Sequence, residues 1–362
     1  MDRIDPDLIA IDADGHVIEG DEMFSQYLDP AYRPRTQGNA LDSRGVRRLI
    51  VDGVAHPPFP ASISIRKPMD ASDRLKVLDK ERIRAAVLFP SGALVAVYAC
   101  EPDFAHAMAR AYNDWIADYV APHRDRLFFA GVLALHDVAQ AVAEARRVVA
   151  KGAVAIAVRP NPCLGRTLDD PAYDPLYAAI EEMGVPLCVH ETTGDPSTAG
   201  GERYGMRNEA RYAFNHVISH PFEQMFAAMS LICGGVLERF PRLSVAFLEA
   251  GCSWAPYWLA RMDDHFANKK LGAQMPIRMK PSEYFERQCL VSCDPGDHTI
   301  PLAIAGIGAH RIAFATDYPH FDSAGGAVNA FLAVAGVSDA DRRRLLWDNA
   351  IRFYRLKLPV EA

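Results

Sequence analysis

The sequence has no dense block of lysine or arginine. Its 39 Lys and Arg are outweighed by 46 Asp and Glu, for a formal net charge of −7. Nucleic acid and anionic membrane surfaces are therefore not expected partners. No apolar run approaches 18 residues, so no transmembrane helix is expected. The opening segment, MDRIDPDLIA, lacks the basic flank and apolar stretch of a signal peptide, which points to the cytoplasm. The seven cysteines are odd in number and scattered without CxxC spacing. They read as buried thiols in a reducing compartment, neither a disulfide framework nor a metal cage. Internal repeats, low-complexity segments and a glycine-rich phosphate loop after the first apolar run are all missing. The last absence argues against an open dinucleotide-binding sheet.

What is present is alternation. Half of the 362 residues are hydrophobic, enough for a large core. Eight short runs recur: LIAIDA, RAAVLFP (84–90), RLFFAGVLAL (126–135), AVAIAV (153–158), VPLCVH (185–190), LSVAFLEA (243–250), CLVSC (289–293) and RIAFATD (311–317). Amphipathic stretches intervene, such as 103–120, 137–152 and 175–184, with Gly152 and Gly184 where helix C-caps belong. Several runs are apolar throughout, as parallel strands buried on both faces must be. Eight βα units in order predict a (β/α)8 barrel, a fold that accommodates this length as one domain, 1–362.

Two insertions break the rhythm. Residues 20–70 are Pro-rich, with LIVDGVAH reading as a small hairpin turning at Asp52-Gly53. Residues 191–211 form a second long polar loop. Both leave strand C-termini, the face on which barrel enzymes build their sites, and both are expected to cover a pocket there.

The strand ends carry the chemistry. In IAIDADGHVIEG, Asp12, Asp14 and His16 are spaced by two, which predicts that they project on one side. His190, Glu249, Asp317 and His320 stand at or just beyond other strand ends. Barrel strands end on one face, so residues some 300 positions apart converge. Asp14, His16, His190 and Asp317 make a mixed N/O ligand set suited to Zn²⁺, Mn²⁺ or Fe²⁺. His220 precedes Pro221 and either opens a helix or enters the pocket as an acid/base group. Glu191 follows a ligand directly, so alternation turns it away. Trp254, Pro256, Trp258 and Arg261 have the spacing of a helix face packed on the barrel. Arg203, Arg207 and Arg211 are loop arginines, solvated or able to clamp a carboxylate through paired N–H donors.

Together the stretches DADGHVIE, CVHET, SHPFEQM, GGVLERFPRLSVAFLEAG, WAPYWLARMD, ATDYPHFDS and DNAIRFYRL give the chain its resemblance to a family. Over nearly its whole length it resembles the amidohydrolase-related family that includes aminocarboxymuconate semialdehyde decarboxylase and the resorcylate and carboxyvanillate decarboxylases. The resemblance implies one divalent metal held by Asp14, His16, His190 and Asp317. Two departures stand out. Many members have His-x-His where this chain has Asp14-x-His16, and a histidine where it has Glu249.

Two reactions share these parts: hydrolysis, with Asp317 deprotonating a metal-bound water, and non-oxidative decarboxylation of a small organic acid. The resemblance favours decarboxylation. Asp317, Glu249 and His220 are the candidate acid/base groups. The spare carboxylates Asp12, Glu19 and Glu249, with His320, suit a second metal or its surroundings. A dinuclear iron or manganese oxygenase is therefore one alternative, and a metal-bound structural subunit is another. The expected partners are a carboxylate substrate and a second chain, in a homodimer or a hetero-oligomer with a related chain.

Overall fold

The computed structural model describes residues 10–43, 45–56, 66–99, 101–191, 199–204, 209–321, 323 and 325–358. Eleven strands are numbered in chain order. β1 (Ala10–Val17), β5 (Ile83–Pro90), β6 (Leu127–Val132), β7 (Ala155–Val158), β8 (Leu187–His190), β9 (Val245–Leu248), β10 (Cys289–Cys293) and β11 (Ile312–Phe314) pair in that order, all parallel. β11 returns beside β1, where His16 N–H donates to Tyr318 O (2.7 Å) and Asp317 N–H to Asp14 O (3.0 Å). The expected (β/α)8 barrel is the observed fold.

Alternation along each strand divides the side chains between two layers. Ile11, Ala13, Ala85, Val87, Phe89, Ala130, Ala155, Ala157, Cys188, Ala246, Leu248, Leu290 and Ala313 fill the barrel. Alanine dominates this interior, which leaves room for Tyr354 to enter from the bottom. Its hydroxyl donates to Ala13 O at 2.8 Å. The opposite faces meet the surrounding helices in a second, larger core. Local signals place those helices. Asp137 accepts the Gln140 N–H (2.9 Å) as N-cap of Val138–Ala150, and Gly184 closes Asp174–Met183 at φ +70°.

The first insertion folds into an antiparallel sheet of β2 (Thr36–Leu41), β3 (Arg47–Val51) and β4 (Val54–His56), the last two turning at Asp52-Gly53. Its end returns to the C-terminal mouth of the barrel. There the Arg66 guanidinium lies 5.5 Å from the centre of the Tyr318 ring. In the second insertion, Ala199–Tyr204 packs on helix Tyr212–Cys233 through Tyr204 and Phe214, 5.6 Å apart. Residues 57–65, 192–198 and 205–208, with Arg207 among them, lie outside the described residues. The described cysteines are all unpaired and buried.

Candidate metal centre

The centre begins with an irregularity in β1. Asp12 pairs with Ala86 and Gly15 with Leu88, so three steps along β1 match two along β5. This extra residue is a bulge, and a bulge reverses which way side chains face. Asp14 and His16 turn into the mouth, whereas Asp12 turns outward. Asp12 accepts the Thr316 N–H (3.0 Å) and Oγ–H (2.6 Å) and lies 3.8 Å from the Arg74 guanidinium. Burial lifts its carboxyl to about 6. The expected projection of Asp12 with Asp14 and His16 is therefore corrected: Asp12 ties β1 to the end of β11. Glu19 is corrected in the same sense. It accepts the N–H groups of Ser91 (3.0 Å), Gly92 (2.8 Å) and Ala93 (2.9 Å), fixing the start of helix Gly92–Ala99.

His16 stands at the hub. Its Nε2 lies 3.0 Å from His190 Nε2, 3.7 Å from Asp14 Oδ1 and 3.5 Å from Asp317 Oδ1, and His190 Nε2 lies 3.3 Å from Asp14 Oδ1. Both rings are oriented from behind. His16 Nδ1 donates to Pro90 O (3.1 Å) and His190 Nδ1 to Glu191 O (2.8 Å). In neutral rings, two Nε2 lone pairs would then confront each other beside a buried carboxylate oxygen that accepts no hydrogen bond among the described residues. Such an arrangement repels unless a cation stands among the donors. Two ligands ~2.1 Å from one ion are ~3.0 Å apart when they subtend a right angle, so the spacing fits a metal.

The electrostatics agree. Burial, with His320 and His190 nearby, holds His16 well below its ordinary value, neutral and ready to ligate. Burial opposes a charge on His190 too, but the Asp14 and Glu249 carboxylates outweigh it and lift the imidazole to about 9. Without metal, His190 is thus a cation of the centre. Burial raises Asp14 above the usual carboxylate range.

Glu249 and Asp317 both adopt φ +54°, in the left-handed region that non-glycine residues avoid. Each costs on the order of 1–3 kcal/mol. The turn swings the two carboxylates across the barrel mouth. Glu249 N–H is held by Ser292 Oγ (3.0 Å) and Asp317 N–H by Asp14 O. Glu249 Oε1 meets His220 Nε2 (3.3 Å) and Oε2 meets His190 Nε2 (3.4 Å). Although burial pushes its carboxyl up, His220, His320 and His190 draw it well below the carboxylate range. Burial likewise opposes a charge on His220, yet Glu249 lifts that imidazole to about 9.

His320 joins the same group. Its Nδ1 is 2.6 Å from Asp317 Oδ1 and 3.8 Å from Glu249 Oε1, and its Nε2 is 2.9 Å from Ser91 Oγ. His16, Glu249, Asp317 and His320 thus form a second set of close donors overlapping the first, Asp14, His16 and His190.

His220 does not open a helix. It lies inside Tyr212–Cys233, which runs through Pro221. Proline forfeits one helical hydrogen bond but can sit inside a helix anchored on either side. Here Gln224 Nε2 donates to Val189 O and Leu248 O, both at 2.9 Å, tying the helix to the ends of β8 and β9. Sequence reasoning missed Gln224, Ser91 and Ser292, since nothing in their neighbourhoods distinguishes them from ordinary polar residues. Glu191 turns away from the centre as alternation requires and pairs with Arg159 (3.2 Å). Trp254 is buried in the helix face packed on the barrel, whereas Arg203 and Arg211 are exposed.

Fold and cluster together define a (β/α)8 barrel with a histidine–carboxylate centre at the C-terminal ends of its strands. Residues 11–356 match the amidohydrolase family model, and the chain belongs to that family. Among curated relatives, it is 25% identical over 290 residues to 2-amino-3-carboxymuconate-6-semialdehyde decarboxylase of Dictyostelium discoideum, covering 79% of this chain and 77% of that protein. It is 28% identical over 299 residues to gamma-resorcylate decarboxylase of a Rhizobium species, covering 80% and 88%. Among solved structures, an amidohydrolase from Mycobacterium avium subsp. paratuberculosis superposes with TM-score 0.80 at 23% identity, over 96% of this chain and 99% of that one. A dihydroxybenzoic acid decarboxylase from Polaromonas, solved with bound manganese and 2-nitroresorcinol, superposes with TM-score 0.69 at 22% identity, over 96% and 97%. No helix among the described residues is long and apolar enough to cross a membrane.

Proposed function

We propose that this chain is a divalent-metal-dependent, non-oxidative decarboxylase of a small carboxylic acid, with an aromatic or conjugated acid as the substrate class. The observation that carries the reading is the confrontation of His16 Nε2 and His190 Nε2 at 3.0 Å beside Asp14 and Asp317. These four residues would hold the ion, with manganese, zinc and iron the candidates. When bound, the ion supplies the positive charge that binds and orients the substrate's oxygen groups. The decarboxylase relatives support this reaction over hydrolysis.

The remaining work belongs to the protein. The pair His220–Glu249 holds one transferable proton between Nε2 and Oε1, 3.3 Å apart. That proton goes to the substrate carbon bearing the carboxylate. The C–C bond then breaks, its electron pair returns to the conjugated system, and CO₂ leaves. The pair takes its next proton from solvent. His320 orients Asp317 by holding the same Oδ1 that faces His16, and is itself held by Ser91. We also read the chain as a single domain, and as cytoplasmic, in keeping with its unpaired thiols.

The test is metal analysis coupled to turnover. The manganese-loaded protein is offered 2,6-dihydroxybenzoate, 5-carboxyvanillate and related acids in deuterated water. One metal per chain, CO₂ release and one deuterium at the vacated carbon are expected. A protein that binds no divalent metal with His16 and His190 intact would sink the reading. The second set of donors, His16, Glu249, Asp317 and His320, favours one alternative, a dinuclear oxygenase. Two metals per chain and dioxygen consumption would identify it.

A further inference from the structure

At the end of β1, beside the metal centre, three cations meet around one small cavity. Arg66, Lys67 and Arg74 line it, together with His16, Tyr119 and Tyr318. No acidic side chain lines it among the described residues. Its volume is about 40 Å³. A water molecule needs ~10–15 Å³ of such space, so a group of about three heavy atoms fits. Arg66 and Lys67 come from the first insertion and are exposed, so the cavity opens to solvent. Of the four residues proposed to hold the ion, His16 alone borders it.

Arg74 is the telling residue. Its side chain is 2% exposed, and burial opposes its charge. All five N–H groups of a guanidinium seek acceptors. Nη1 donates to Tyr318 O (3.0 Å) and His16 O (3.3 Å). Nε and Nη2 are buried and hydrogen-bond to nothing among the described residues. Those two atoms form the edge that grips a planar oxyanion through two parallel bonds. Asp12 does not fill that role. Its oxygens are committed to Thr316, and Oδ2 stands 3.8 Å from Nη2, beyond hydrogen-bond reach. Asp73, in the first turn of the same helix, is taken by Lys76 (2.6 Å). Tyr318 adds to the imbalance. Its ring centre lies 4.6 Å from the Arg74 guanidinium and 5.5 Å from that of Arg66, so two like charges share one ring. A buried cationic edge without acceptors, with two more cations at its door, calls for an anion.

We propose that this cavity is an oxyanion site, for a carboxylate or bicarbonate, and that the bound anion tightens the metal centre. The coupling has a structural route. Through Nη1, Arg74 holds the carbonyls of His16 and of Tyr318, the residue after Asp317, and so clamps the chain at the ends of β1 and β11. An anion on the other edge fixes the guanidinium, and with it the two strand ends that carry His16 and Asp317. By linkage, the anion and the ion then raise each other's affinity by one common factor. A planar carboxylate presents two oxygens at the spacing of the two N–H groups, which a halide does not. The site stands independently of which reaction the centre performs.

The experiment is thermal unfolding of the full chain in a buffer free of small anions, titrated with sodium formate, sodium bicarbonate or, at matched ionic strength, sodium chloride. Formate and bicarbonate should raise Tm saturably and chloride should not; their two midpoints show which anion the site prefers. Manganese affinity, read from the free ion by electron paramagnetic resonance, should tighten ~10-fold at saturating formate. Arg74 grips two ligand strands and its replacement can unfold the chain, so the variant is Arg66→Gln/Lys67→Gln, at two exposed positions. Without anion it should melt with the wild type. It should bind formate ~10-fold more weakly, the scale of one lost charge-assisted contact, and lose most of the coupling. A crystal grown with formate should place the carboxylate on Nε and Nη2 of Arg74. An absent or unsaturable shift overturns the site, as does an equal shift with chloride. So does a shift undiminished in the double variant, which would put formate on the metal instead. A rise in Tm without tighter manganese binding overturns the coupling. Turnover enters none of these readings, so a chain that decarboxylated no acid would leave the site standing.

Discussion

Replacing Glu249 with glutamine keeps the shape of the side chain and removes its charge. At an effective dielectric constant of ~20, a unit charge 3.3 Å from His220 and 3.4 Å from His190 is worth ~5 kcal/mol to each, before desolvation is counted. The net effect on His220 is smaller. Its imidazole stands at about 9 against an ordinary 6.5, a difference of ~3 kcal/mol at 1.36 kcal/mol per pH unit. Without Glu249 the imidazole returns towards 6.5, and its protonated fraction at pH 7.5 falls from nearly all to about one-tenth. That accounts for about tenfold in rate. Loss of the proton-sharing oxygen should bring the total to ~10²-fold or more. In the metal-loaded enzyme kcat should fall by that amount, its alkaline limb should move towards neutrality, and metal content should stay whole. In the metal-free protein the stability effect of His220 has a definite sign. A raised folded-state value contributes stability that is complete below about pH 6.5 and lost as pH rises through about 9. The thermal difference between wild type and variant should therefore shrink over that window. Unchanged turnover with an unchanged pH profile would refute the reasoning, and loss of half the metal would move Glu249 to a second ion.

Metal binding should expel about one proton per chain at pH 7, because His190 is cationic below about pH 9 without the ion; calorimetry in buffers of different ionisation enthalpy measures it, and pH-independent affinity between 6.5 and 8 would contradict it. Asp12→Asn should keep the metal and lose ~3–5 kcal/mol of stability, since Arg74 is left buried without its counter-charge; loss of metal instead would restore Asp12 as a ligand. Tyr354→Phe should cost ~1–2 kcal/mol in denaturant unfolding by leaving Ala13 O unpaired in the barrel floor, with kcat unchanged; a loss of activity without loss of stability would mean that the floor communicates with the mouth.

The sequence by itself determined the barrel. Eight apolar runs of strand length alternating with amphipathic stretches have few other ways to bury both faces of each strand, and DADGHV, CVH, FLEAG and ATDYPH mark the ends where the chain leaves the sheet. It also determined that His16, His190, Glu249 and Asp317 would meet, because parallel strands of one barrel all end on the same side. Which way each of them faces was decided by tertiary structure. A one-residue bulge sends Asp12 to Thr316 and Arg74 while Asp14 enters the mouth. The backbone of residues 91–93 claims Glu19. Left-handed dihedrals at Glu249 and Asp317, held by Ser292 and by the closure of β11 on β1, aim the two carboxylates, and simple alternation after inward-facing Leu248 would have misplaced Glu249. Helix Tyr212–Cys233 runs through a proline because Gln224 anchors it to two strand ends, and that brings His220 to Glu249. Facing depends on register, dihedral angle and distant hydrogen-bond partners. Local composition encodes none of these, whereas the period of the hydrophobic pattern, which sets the fold, is written in every segment.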